Sequence, residues 1–459
     1  MAKELKIGMV SLGCAKNLVD AEVMMGSLGE AGMAFTSDPT QADVLIVNTC
    51  SFVEDARRES LDTIGELVES RRRYGLRRQK IIVAGCLAQR YADQLPEQMP
   101  EVDAYIGLDQ VAQVADIVKE IMTAGAVKGA TYVAGPSKYI PDFETPRLRL
   151  TDAHSAYVKI AEGCNHPCSF CVIPKIRGRH RSRSQADIVH EVRNLVGQGC
   201  REINLISQDT TYYGMDKWEG GRATPRSGVD SARGESLTTL IRALDGLDGD
   251  FWIRLLYTHP AHWSTELMET IANSSKVVPY VDSPLQHISD KMLAAMQRET
   301  DGAYIRNLIR EMRERIPGLG IRTAFIVGFP GETEDDVREL MEFIEEVRFE
   351  RVGIFEYSRE EDTRAYAMTE GLVDPGVRHD RWDRLMRRLS ELAVENNEQR
   401  IGEQLRVLVE SPGMARSAWD APEIDCNVFV DKILPAGEFA EVEITDVDGY
   451  DLVGRALTT

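Results

Sequence analysis

The chain has 459 residues, of which 74 are acidic and 54 basic, giving a formal net charge of −20. This length exceeds what one hydrophobic core supports, so we expect two or three domains. The acidity disfavours broad non-specific nucleic-acid binding, and no apolar run approaches the about 18 residues that span a bilayer. The first residues lack a basic segment followed by a long apolar one, so the sequence predicts a cytoplasmic protein whose cysteines stay reduced.

The first domain is predicted to span residues 1–135 and to contain a parallel α/β sheet. Short, largely β-branched runs predict buried strands at residues 7–10, 44–47 and 81–84. Helical patterns lie between these runs, and Asp20 is the expected N-cap of the first helix. The order β-α-β-α-β favours parallel strands joined by right-handed crossovers.

A cysteine follows each of these three strands within a few residues. Cys14, Cys50 and Cys86 are separated by 36 residues in each step, so each falls at the same phase of its strand–helix unit. The carboxyl ends of parallel strands share one edge of a sheet, where ligands bind. The spacing therefore favours a three-cysteine site for an iron–sulfur cluster. The alternative is three unrelated buried cysteines, since free cysteine is among the most buried residue types.

The central domain is predicted to span residues 150–385. Six strand-like runs alternate with helical patterns, which is typical of a partial (β/α)6 barrel with its chemistry at the carboxyl ends of the strands. The strand-like runs cover residues 157–161, 203–207, 252–257, 277–282, 322–327 and 352–357, and the helical patterns cover residues 185–196, 237–244, 265–272, 304–315 and 334–347.

A second cysteine triad, Cys164, Cys168 and Cys171, follows the first strand of this domain in a CxxxCxxC pattern. Three closely spaced thiolates can hold three irons of a four-iron, four-sulfur cluster and leave the fourth iron open to a small molecule. A zinc site or a ferredoxin-type cluster needs a fourth ligand, and His166 is too tightly spaced to serve. A disulfide framework suits a long chain without a secretory signal poorly. We therefore predict a cluster with an open iron here, which also favours a cluster at the first triad.

Polar side chains at the strand ends are candidates for binding a small molecule beside this cluster. They are Ser207 and Gln208 after the second strand, Gln286 after the fourth, and Glu332 in the turn after the fifth. None of them is specific alone. A structural turn around Glu332 and a satisfied polar contact for Gln286 are the simpler explanations.

The histidines and arginines of the central domain allow both functional and structural interpretations. His259 and His262 suggest zinc, but the intervening Pro260 and the lack of a helical pattern favour a structural role. Four arginines just after the cysteine loop could bind a carboxylate group of the small molecule or a substrate, or could form a solvent-facing basic strip. These arginines are Arg177, Arg179, Arg181 and Arg183.

The last domain is predicted to span residues 398–459 as a small β-barrel of about five strands. The hydrophobic period changes to two after a charged helix, with proline and glycine turns between short apolar runs. Such barrels often bind nucleic acid, but residues 399–459 hold 12 acidic and 5 basic residues, a net charge of −7. An acidic barrel repels phosphates and attracts a basic protein, although ordinary solubility explains acidity equally well.

The whole chain resembles the methylthiotransferases, radical S-adenosylmethionine (SAM) enzymes with two iron–sulfur clusters and a C-terminal TRAM barrel. The resemblance implies that Cys164, Cys168 and Cys171 bind a SAM-cleaving [4Fe-4S] cluster. It also implies that Phe170 is the aromatic residue usual before the third cysteine, beside SAM. The similarity rests on SLGCAKNLVDAEVM, VNTCSFVEDAR, EGCNHPCSFCVIPKIRG, DSPLQHISDKML and GFPGET.

The same resemblance implies that Cys14, Cys50 and Cys86 bind an auxiliary [4Fe-4S] cluster, which holds the sulfur to be transferred. The stretch SLGCxKNxVDxE resembles the members that add a methylthio group to the β-carbon of an aspartate in the twelfth protein of the small ribosomal subunit. That substrate is basic, in agreement with the acidic barrel. The alternatives are a transfer-RNA adenosine methylthiotransferase and a non-catalytic iron–sulfur module that binds the ribosome.

The resemblance also implies the partners of this chain. We expect a basic ribosomal protein, free or in the assembled small subunit, and an electron donor such as a flavodoxin-type reductant. RNA contact is expected to be secondary, and no membrane is involved. Two departures from the family pattern concern substrate contact: Asp362 stands where glycine is expected before a threonine, and residues 174–181 are more basic than expected.

Overall fold

The structure is a computed structural model that describes residues 4–123, 127–219 and 223–457. Within these ranges no helix is long and apolar enough to cross a membrane. The main units are two six-stranded parallel sheets and a closed five-stranded barrel. This arrangement confirms the predicted fold class of an N-terminal α/β sheet, a central partial barrel and a C-terminal β-barrel. The domain boundaries at residues 135, 150, 385 and 398 stay predictions.

The N-terminal unit has six strands and five α-helices. They are β1 (Lys6–Ser11), α1 (Ala15–Glu30), β2 (Ala34–Phe35), β3 (Val44–Thr49), α2 (Glu54–Arg73), β4 (Lys80–Gly85), α3 (Cys86–Arg90), α4 (Leu95–Gln98), β5 (Ala104–Ile106), α5 (Val114–Ile121) and β6 (Ala130–Tyr132). The strand order is β2-β1-β3-β4-β5-β6, and all neighbours are parallel. The three predicted strands form the centre of the sheet. The sequence pattern missed β2, β5 and β6 because runs of two or three residues show no periodicity.

Helix α1 begins earlier than predicted. It starts at Ala15, directly after Cys14, so the prediction that Asp20 is its N-cap was wrong. Asp20 lies inside the helix, where its buried carboxylate pairs with Lys159 at 2.6 Å and with Arg177 at 3.1 Å. This acidic residue therefore joins α1 to the central unit instead of starting the helix.

The central unit contains all six predicted strands and all five predicted helices, with bounds that differ by at most two residues. Its elements are β7 (Ser155–Lys159), β8 (Ala161–Glu162), α6 (Ile173–Ile176), β9 (Arg181–Ser182), α7 (Gln185–Gly197), β10 (Glu202–Ile206), α8 (Leu237–Asp245), β11 (Trp252–Leu255), α9 (Thr265–Asn273), β12 (Val277–Asp282), α10 (Asp290–Ala295), α11 (Gly302–Arg315), β13 (Gly320–Val327), α12 (Glu334–Val347), β14 (Arg351–Glu356) and α13 (Pro375–Glu398). The parallel order β14-β13-β12-β11-β10-β7 leaves β14 and β7 as the two edges, so the barrel is partial. Strands β8 and β9 form a separate two-stranded sheet.

The C-terminal unit is a closed barrel of five strands, as predicted. They are β15 (Gln404–Ser411), β16 (Met414–Ser417), β17 (Val428–Val430), β18 (Phe439–Asp448) and β19 (Asp451–Ala456). They close in the order β15-β16-β17-β19-β18 around a core of buried aliphatic side chains. Closure pairs every strand on both sides, which removes exposed strand edges.

One apolar cluster joins the three units. Val19 of α1 packs in the same buried cluster as Tyr157 and Trp252 of the central sheet. Leu408 and Ala421 of the C-terminal unit belong to the same cluster. Because these side chains come from all three parts of the chain, their burial fixes the parts relative to one another.

A buried charged network docks the barrel beside this cluster. Glu202 accepts hydrogen bonds from Arg254 Nε at 2.9 Å and from Arg416 Nη1 at 3.0 Å. The three side chains are at most 3% exposed. Burial opposes ionisation, but the two guanidinium groups outweigh it and lower the pKa of Glu202 to about 2. The carboxylate thus stays charged between an arginine of the sheet and one of the barrel.

Candidate functional site

The first cysteine triad lies at the carboxyl edge of the N-terminal sheet. Cys14 immediately precedes α1, Cys50 directly follows β3, and Cys86 is the first residue of α3. The three strands before them are neighbours in the sheet. Gly13 lies against Cys50, because a Cβ added to this glycine would be 2.8 Å from the Cβ of Cys50. Gly13 also has a φ of +91°, so glycine is required where the two turns meet.

Asn17, in the first turn of α1, ties these turns together. Its Nδ2 donates to the carbonyl oxygens of Leu12 at 3.1 Å and Thr49 at 2.9 Å. Its Oδ1 lies 3.5 Å from the Sγ of Cys86. The side chain is fully buried. One amide therefore contacts all three cysteine-bearing turns and fixes their spacing.

Two cations face this triad. Arg177 Nη2 donates to the Sγ of Cys86 at 3.4 Å, and the charge of Lys16, two residues after Cys14, acts on the Cys14 thiol. Burial lowers the pKa of Lys16 to about 8 and raises the pKa of Cys86 to about 12. At Cys14 the surrounding protein desolvates the thiol, but the two cations outweigh this and lower its pKa. Positive charge beside sulfur suits thiolate ligands and a negatively charged cluster.

The second triad lies in a loop with a closed neck. Strand β8 pairs antiparallel with β9, and the amide of Cys164 donates to the carbonyl oxygen of Gly178 at 3.1 Å. Gly163 has a φ of +83°, and a Cβ at this position would lie 2.2 Å from the carbonyl oxygen of Arg179. The two sides of the neck are thus in direct backbone contact, which holds the cysteine loop in one conformation.

An arginine also contacts the second triad. Arg298 Nη1 donates to the Sγ of Cys168 at 3.5 Å, and its Nη2 donates to the carbonyl oxygen of Pro284 at 2.9 Å. Burial and the neighbouring Cys168 sulfur raise the pKa of Cys171 to about 12. Each triad therefore has one arginine that donates a hydrogen bond to one of its sulfurs.

The sulfurs of neither triad are gathered closely enough in this structure to share one small ion. A zinc ion with Zn–S distances of about 2.3 Å needs sulfurs within about 4 Å of one another. Neither triad is among the groups, within the described residues, whose ligand atoms all lie within 4.8 Å. The eight cysteines are all free thiols. Three free thiols at this wider spacing fit the larger four-iron cluster, which takes its ligands as thiolates.

His166, inside the cysteine loop, joins a buried network and is not placed as a metal ligand. Its Nε2 lies 2.7 Å from Asp209 Oδ2 and its Nδ1 lies 2.9 Å from Glu299 Oε1. Burial disfavours the charged ring, but the two carboxylates outweigh it and raise the pKa of His166 to about 10. Burial and Arg298 lower the pKa of His259, whose ring stacks on that of His166. The stack therefore consists of a charged His166 ring and a neutral His259 ring.

His166, His259 and His262 lie close together but do not form a zinc site. Their ligand nitrogens lie within 4.8 Å of one another. The rings of His166 and His259 stack at 3.6 Å with 13° between their planes. A histidine binds a metal in the plane of its ring, so two stacked rings cannot share one ion. Both nitrogens of His262 are bonded as well, to Asp209 at 3.0 Å and to the carbonyl oxygen of Pro225 at 3.0 Å. The structural role expected for His259 and His262 agrees with this geometry.

Three family models match successive segments of the chain. Residues 6–107 match the family described as "Uncharacterized protein family UPF0004", residues 158–344 match the radical SAM superfamily, and residues 401–457 match the TRAM domain. The chain is 55% identical to the protein named ribosomal protein uS12 methylthiotransferase RimO of Akkermansia muciniphila, over 98% of this chain and 100% of the relative. The protein of the same name from Opitutus terrae is 55% identical, over 98% of this chain and 96% of the relative.

The chain belongs to the RimO family of radical SAM methylthiotransferases. A more distant RimO, from Heliobacterium modesticaldum, is 45% identical over 99% of this chain and 95% of its own length. Solved structures show the shared fold. The radical SAM methyltransferase TsrM from Kitasatospora setae, with cobalamin and a [4Fe-4S] cluster bound, superimposes with a TM-score of 0.55 at 14% identity, covering 85% of this chain and 89% of that one.

Two of the SAM-binding candidates in this RimO-family chain, Ser207 and Gln208, lie beside the neck of the cysteine loop. Gln208 Oε1 accepts from the amide of Gly163 at 2.6 Å, and its Nε2 donates to Glu162 Oε1 at 2.6 Å. Ser207 is fully buried, with its Oγ 3.3 Å from the hydroxyl of Thr210. Gln208 therefore holds the strand end against the loop, whereas Ser207 bonds within the turn after its own strand. Direct contact of either side chain with SAM stays a prediction.

The other three candidates, Gln286, Glu332 and Phe170, surround the ends of β12 and β13. Glu332 is buried and accepts from the amide of Gly328 and from Arg381 Nη1, each at 2.8 Å, so it supports the turn. Gln286 has a φ of +76° and bridges to β13 through its backbone. Phe170 packs against a buried cluster, and SAM contact for all three stays a prediction. The cluster contains Met292, Met296, Phe329, Tyr357 and Ala365.

The four arginines after the loop fall into two groups. Arg177 and Arg183 are buried and paired with carboxylates, so the solvent-facing interpretation was wrong for them. Arg179 is exposed, and Arg181 is half-buried with hydrogen bonds to backbone carbonyls. These four positions therefore supply two buried arginines, each paired with two carboxylates, one half-buried arginine and one exposed arginine.

Sequence reasoning missed Lys16, Asn17 and Arg298. Lys16 and Asn17 lie two and three residues after Cys14. Predicting the earlier start of α1 would have placed them in its first turn, beside the triad. Arg298 lies 130 residues from the cysteine that it contacts, so no local pattern could reveal it.

Proposed function

We propose that this protein adds a methylthio group to the β-carbon of an aspartate in ribosomal protein uS12, using a [4Fe-4S] cluster at each cysteine triad. The observation that carries the proposal is the presence of two separate three-cysteine sites, on two units, that one buried residue connects. Arg177 follows the second triad in the chain and contacts Cys86 of the first. We infer the identity of the substrate, uS12, from the names of relatives that match nearly the whole chain.

The cofactors and the side chains have different tasks in this reaction. When bound, the two clusters and SAM would supply the radical that removes a hydrogen atom from an unactivated carbon and the sulfur that replaces it. The chain positions these groups, because a reaction between them depends on their separation and orientation. Asn17 fixes the spacing of the first triad, and Gly163 closes the neck of the second.

The barrel is the surface that would bind the basic substrate. Its exposed acidic side chains are not balanced by basic ones, since residues 399–459 carry a net charge of −7. Such a surface speeds the association of a basic protein and opposes that of transfer RNA. The exposed acidic side chains include Asp431, Glu438, Glu441, Asp446 and Asp448.

A product assay tests the proposal. Reconstituted enzyme, SAM and a reductant, either chemical or a flavodoxin-type protein, are incubated with uS12 or with transfer RNA, and each product is weighed by mass spectrometry. We expect the methylthio mass increase on uS12 alone. An increase only on transfer RNA would overturn the substrate, and the absence of 5′-deoxyadenosine would point to a non-catalytic module.

Two cysteine variants separate the roles of the triads in the same assay. Cys50→Ala removes a ligand of the first triad, so we expect 5′-deoxyadenosine without methylthiolated uS12. Cys168→Ala removes a ligand of the second triad, so both products should disappear. Loss of 5′-deoxyadenosine in Cys50→Ala would show that the two triads do not have the proposed division of tasks.

A further inference from the structure

Arg177 belongs to the neck of the second cysteine loop, but its side chain ends at the first cysteine triad. It directly precedes Gly178, whose carbonyl oxygen accepts the amide hydrogen of Cys164. Its Nη2 donates to Asn17 Oδ1 at 2.5 Å and to Cys86 Sγ at 3.4 Å. The residue is 2% exposed. A single residue thus connects the backbone that shapes one site to a ligand of the other.

Two carboxylates hold the guanidinium of Arg177 in place. Its Nη1 donates to Glu162 at 3.0 Å, and its Nη2 lies 3.1 Å from Asp20. Lys159 pairs with the same two carboxylates, at 2.6 Å to Asp20 and 2.7 Å to Glu162. The two cations and two anions are each at most 5% exposed. A planar donor held from several sides has one position, so its charge stays beside Cys86.

We propose that Arg177 is a positioning residue that sets the auxiliary cluster against the SAM-cleaving site and makes that cluster easier to reduce. This inference rests on the proposed function, because it requires a cluster at Cys14, Cys50 and Cys86. A fixed positive charge and a hydrogen bond to a ligand sulfur both stabilise the reduced, more negative cluster. Because Arg177 lies in the backbone of the neck and its side chain bonds to Asn17 and Cys86, it restricts the distance between the two sites.

The reduction potential is the readout that a merely structural role would leave unchanged. Arg177→Gln removes the charge, so we expect the potential of the auxiliary cluster to become more negative while that of the other cluster stays the same. Arg177→Lys keeps the charge, so its potential should lie between those of Gln and wild type. Reductive titrations of the reconstituted holoenzyme, followed by electron paramagnetic resonance, measure both potentials. The signal missing from Cys50→Ala identifies the auxiliary cluster.

Two further variants control for general disruption of the buried network. Asp20→Asn removes a negative charge beside Arg177 without changing the shape of the side chain, so the potential should move in the opposite direction, to a more positive value. Arg183→Gln removes another buried arginine, which pairs with Asp187 and Glu191 and contacts no cysteine. This variant should leave the auxiliary potential unchanged. Equal shifts in all the variants, or no shift in Arg177→Gln, would overturn the proposal.

A coupling ratio tests the positioning role. We expect the amount of methylthiolated uS12 per 5′-deoxyadenosine to fall about ten-fold in both Arg177 variants, since displacement of reacting groups by a fraction of an ångström has effects of this size. An unchanged ratio would overturn this role. Wild-type iron of about four atoms per chain instead of about eight would overturn the auxiliary cluster itself. If the variants show the potential shifts but the wild-type enzyme leaves uS12 unmodified, the proposed substrate is overturned and the effect of Arg177 on the auxiliary potential is still supported.

Discussion

Arg298 and Cys168 are 130 residues apart in sequence, yet Nη1 of the arginine donates to the cysteine Sγ at 3.5 Å. The second guanidinium nitrogen is fixed by the carbonyl oxygen of Pro284 at 2.9 Å. Arg298 follows α10, the helix after the fourth strand of the central sheet, so the contact ties the cysteine loop to the opposite part of the sheet edge. It also places a cation beside the triad that is proposed to hold the SAM-cleaving cluster.

We predict that Arg298→Gln slows the formation of 5′-deoxyadenosine about ten-fold. A hydrogen bond from a charged group contributes about 1.5 to 3 kcal/mol, and about 1.4 kcal/mol corresponds to a factor of ten. The measurement is the initial rate with SAM and reductant, at matched iron content. Arg306→Gln is the control, because this arginine forms an ion pair with Glu346 at the surface and such pairs contribute little. Equal rates in the two variants would contradict the prediction.

Replacing His166 should destabilise the central unit strongly. His166→Asn leaves the buried carboxylates of Asp209 and Glu299 without their shared partner, and breaking a buried charged pair costs about 3 to 5 kcal/mol. Urea unfolding monitored by tryptophan fluorescence measures the change. The control is His379→Asn, since this histidine is 66% exposed and bonds only one carboxylate, that of Glu356. We expect the control to change stability by less than about 1 kcal/mol, and a similar loss in both variants would refute the buried network.

Alanine at Gly163 should prevent the second triad from binding its cluster. The new Cβ would lie 2.2 Å from the carbonyl oxygen of Arg179, so the neck must open. Iron analysis after reconstitution should show a fall from about eight to about four atoms per chain. Gly199→Ala is a matched control, because this glycine has a similar φ of +92° but nothing within 4 Å of the added atom. If both variants lose iron equally, the cause is backbone strain and not the closed neck.

Glu202→Gln should loosen the docking of the barrel. The substitution leaves Arg254 and Arg416 buried beside a neutral amide, so we expect a loss of about 3 to 5 kcal/mol in the free energy of unfolding. The folded pKa of Glu202, about 2, lies below its ordinary value of 4.5. Its contribution is therefore complete above about pH 4.5 and is lost as the pH falls from there toward 2.

Urea unfolding of wild type and Glu202→Gln at several pH values measures this dependence. The difference between the two proteins should be constant from pH 8 to about 5 and should shrink only below about 4.5. Taking the difference cancels the effect of acid on the rest of the chain. A difference that already declines between pH 8 and pH 5 would show that another titrating group controls the docking.

Much of this architecture could be predicted because it depends on local order. Short apolar runs located β1, β3 and β4 and every strand of the central sheet, because a strand buried on both faces is apolar along most of its length. The equal spacing of Cys14, Cys50 and Cys86 placed them at one sheet edge, because parallel strands end on the same side. The very short strands β2, β5 and β6 carry too few residues for any period, and only their neighbours define them.

The sequence by itself therefore determined the order of the main elements, the C-terminal barrel and which cysteines lie at the same edge of a sheet. The tertiary structure alone decided what surrounds those cysteines. From the sequence, Arg177 could bind SAM or a substrate or belong to a solvent-facing basic strip, but in the structure it is buried against Asp20 and Cys86, far away in the chain. Arg298 likewise shows no local signal. Electrostatic contacts depend on distance in space, and spacing along the chain constrains that distance only within one repeating element.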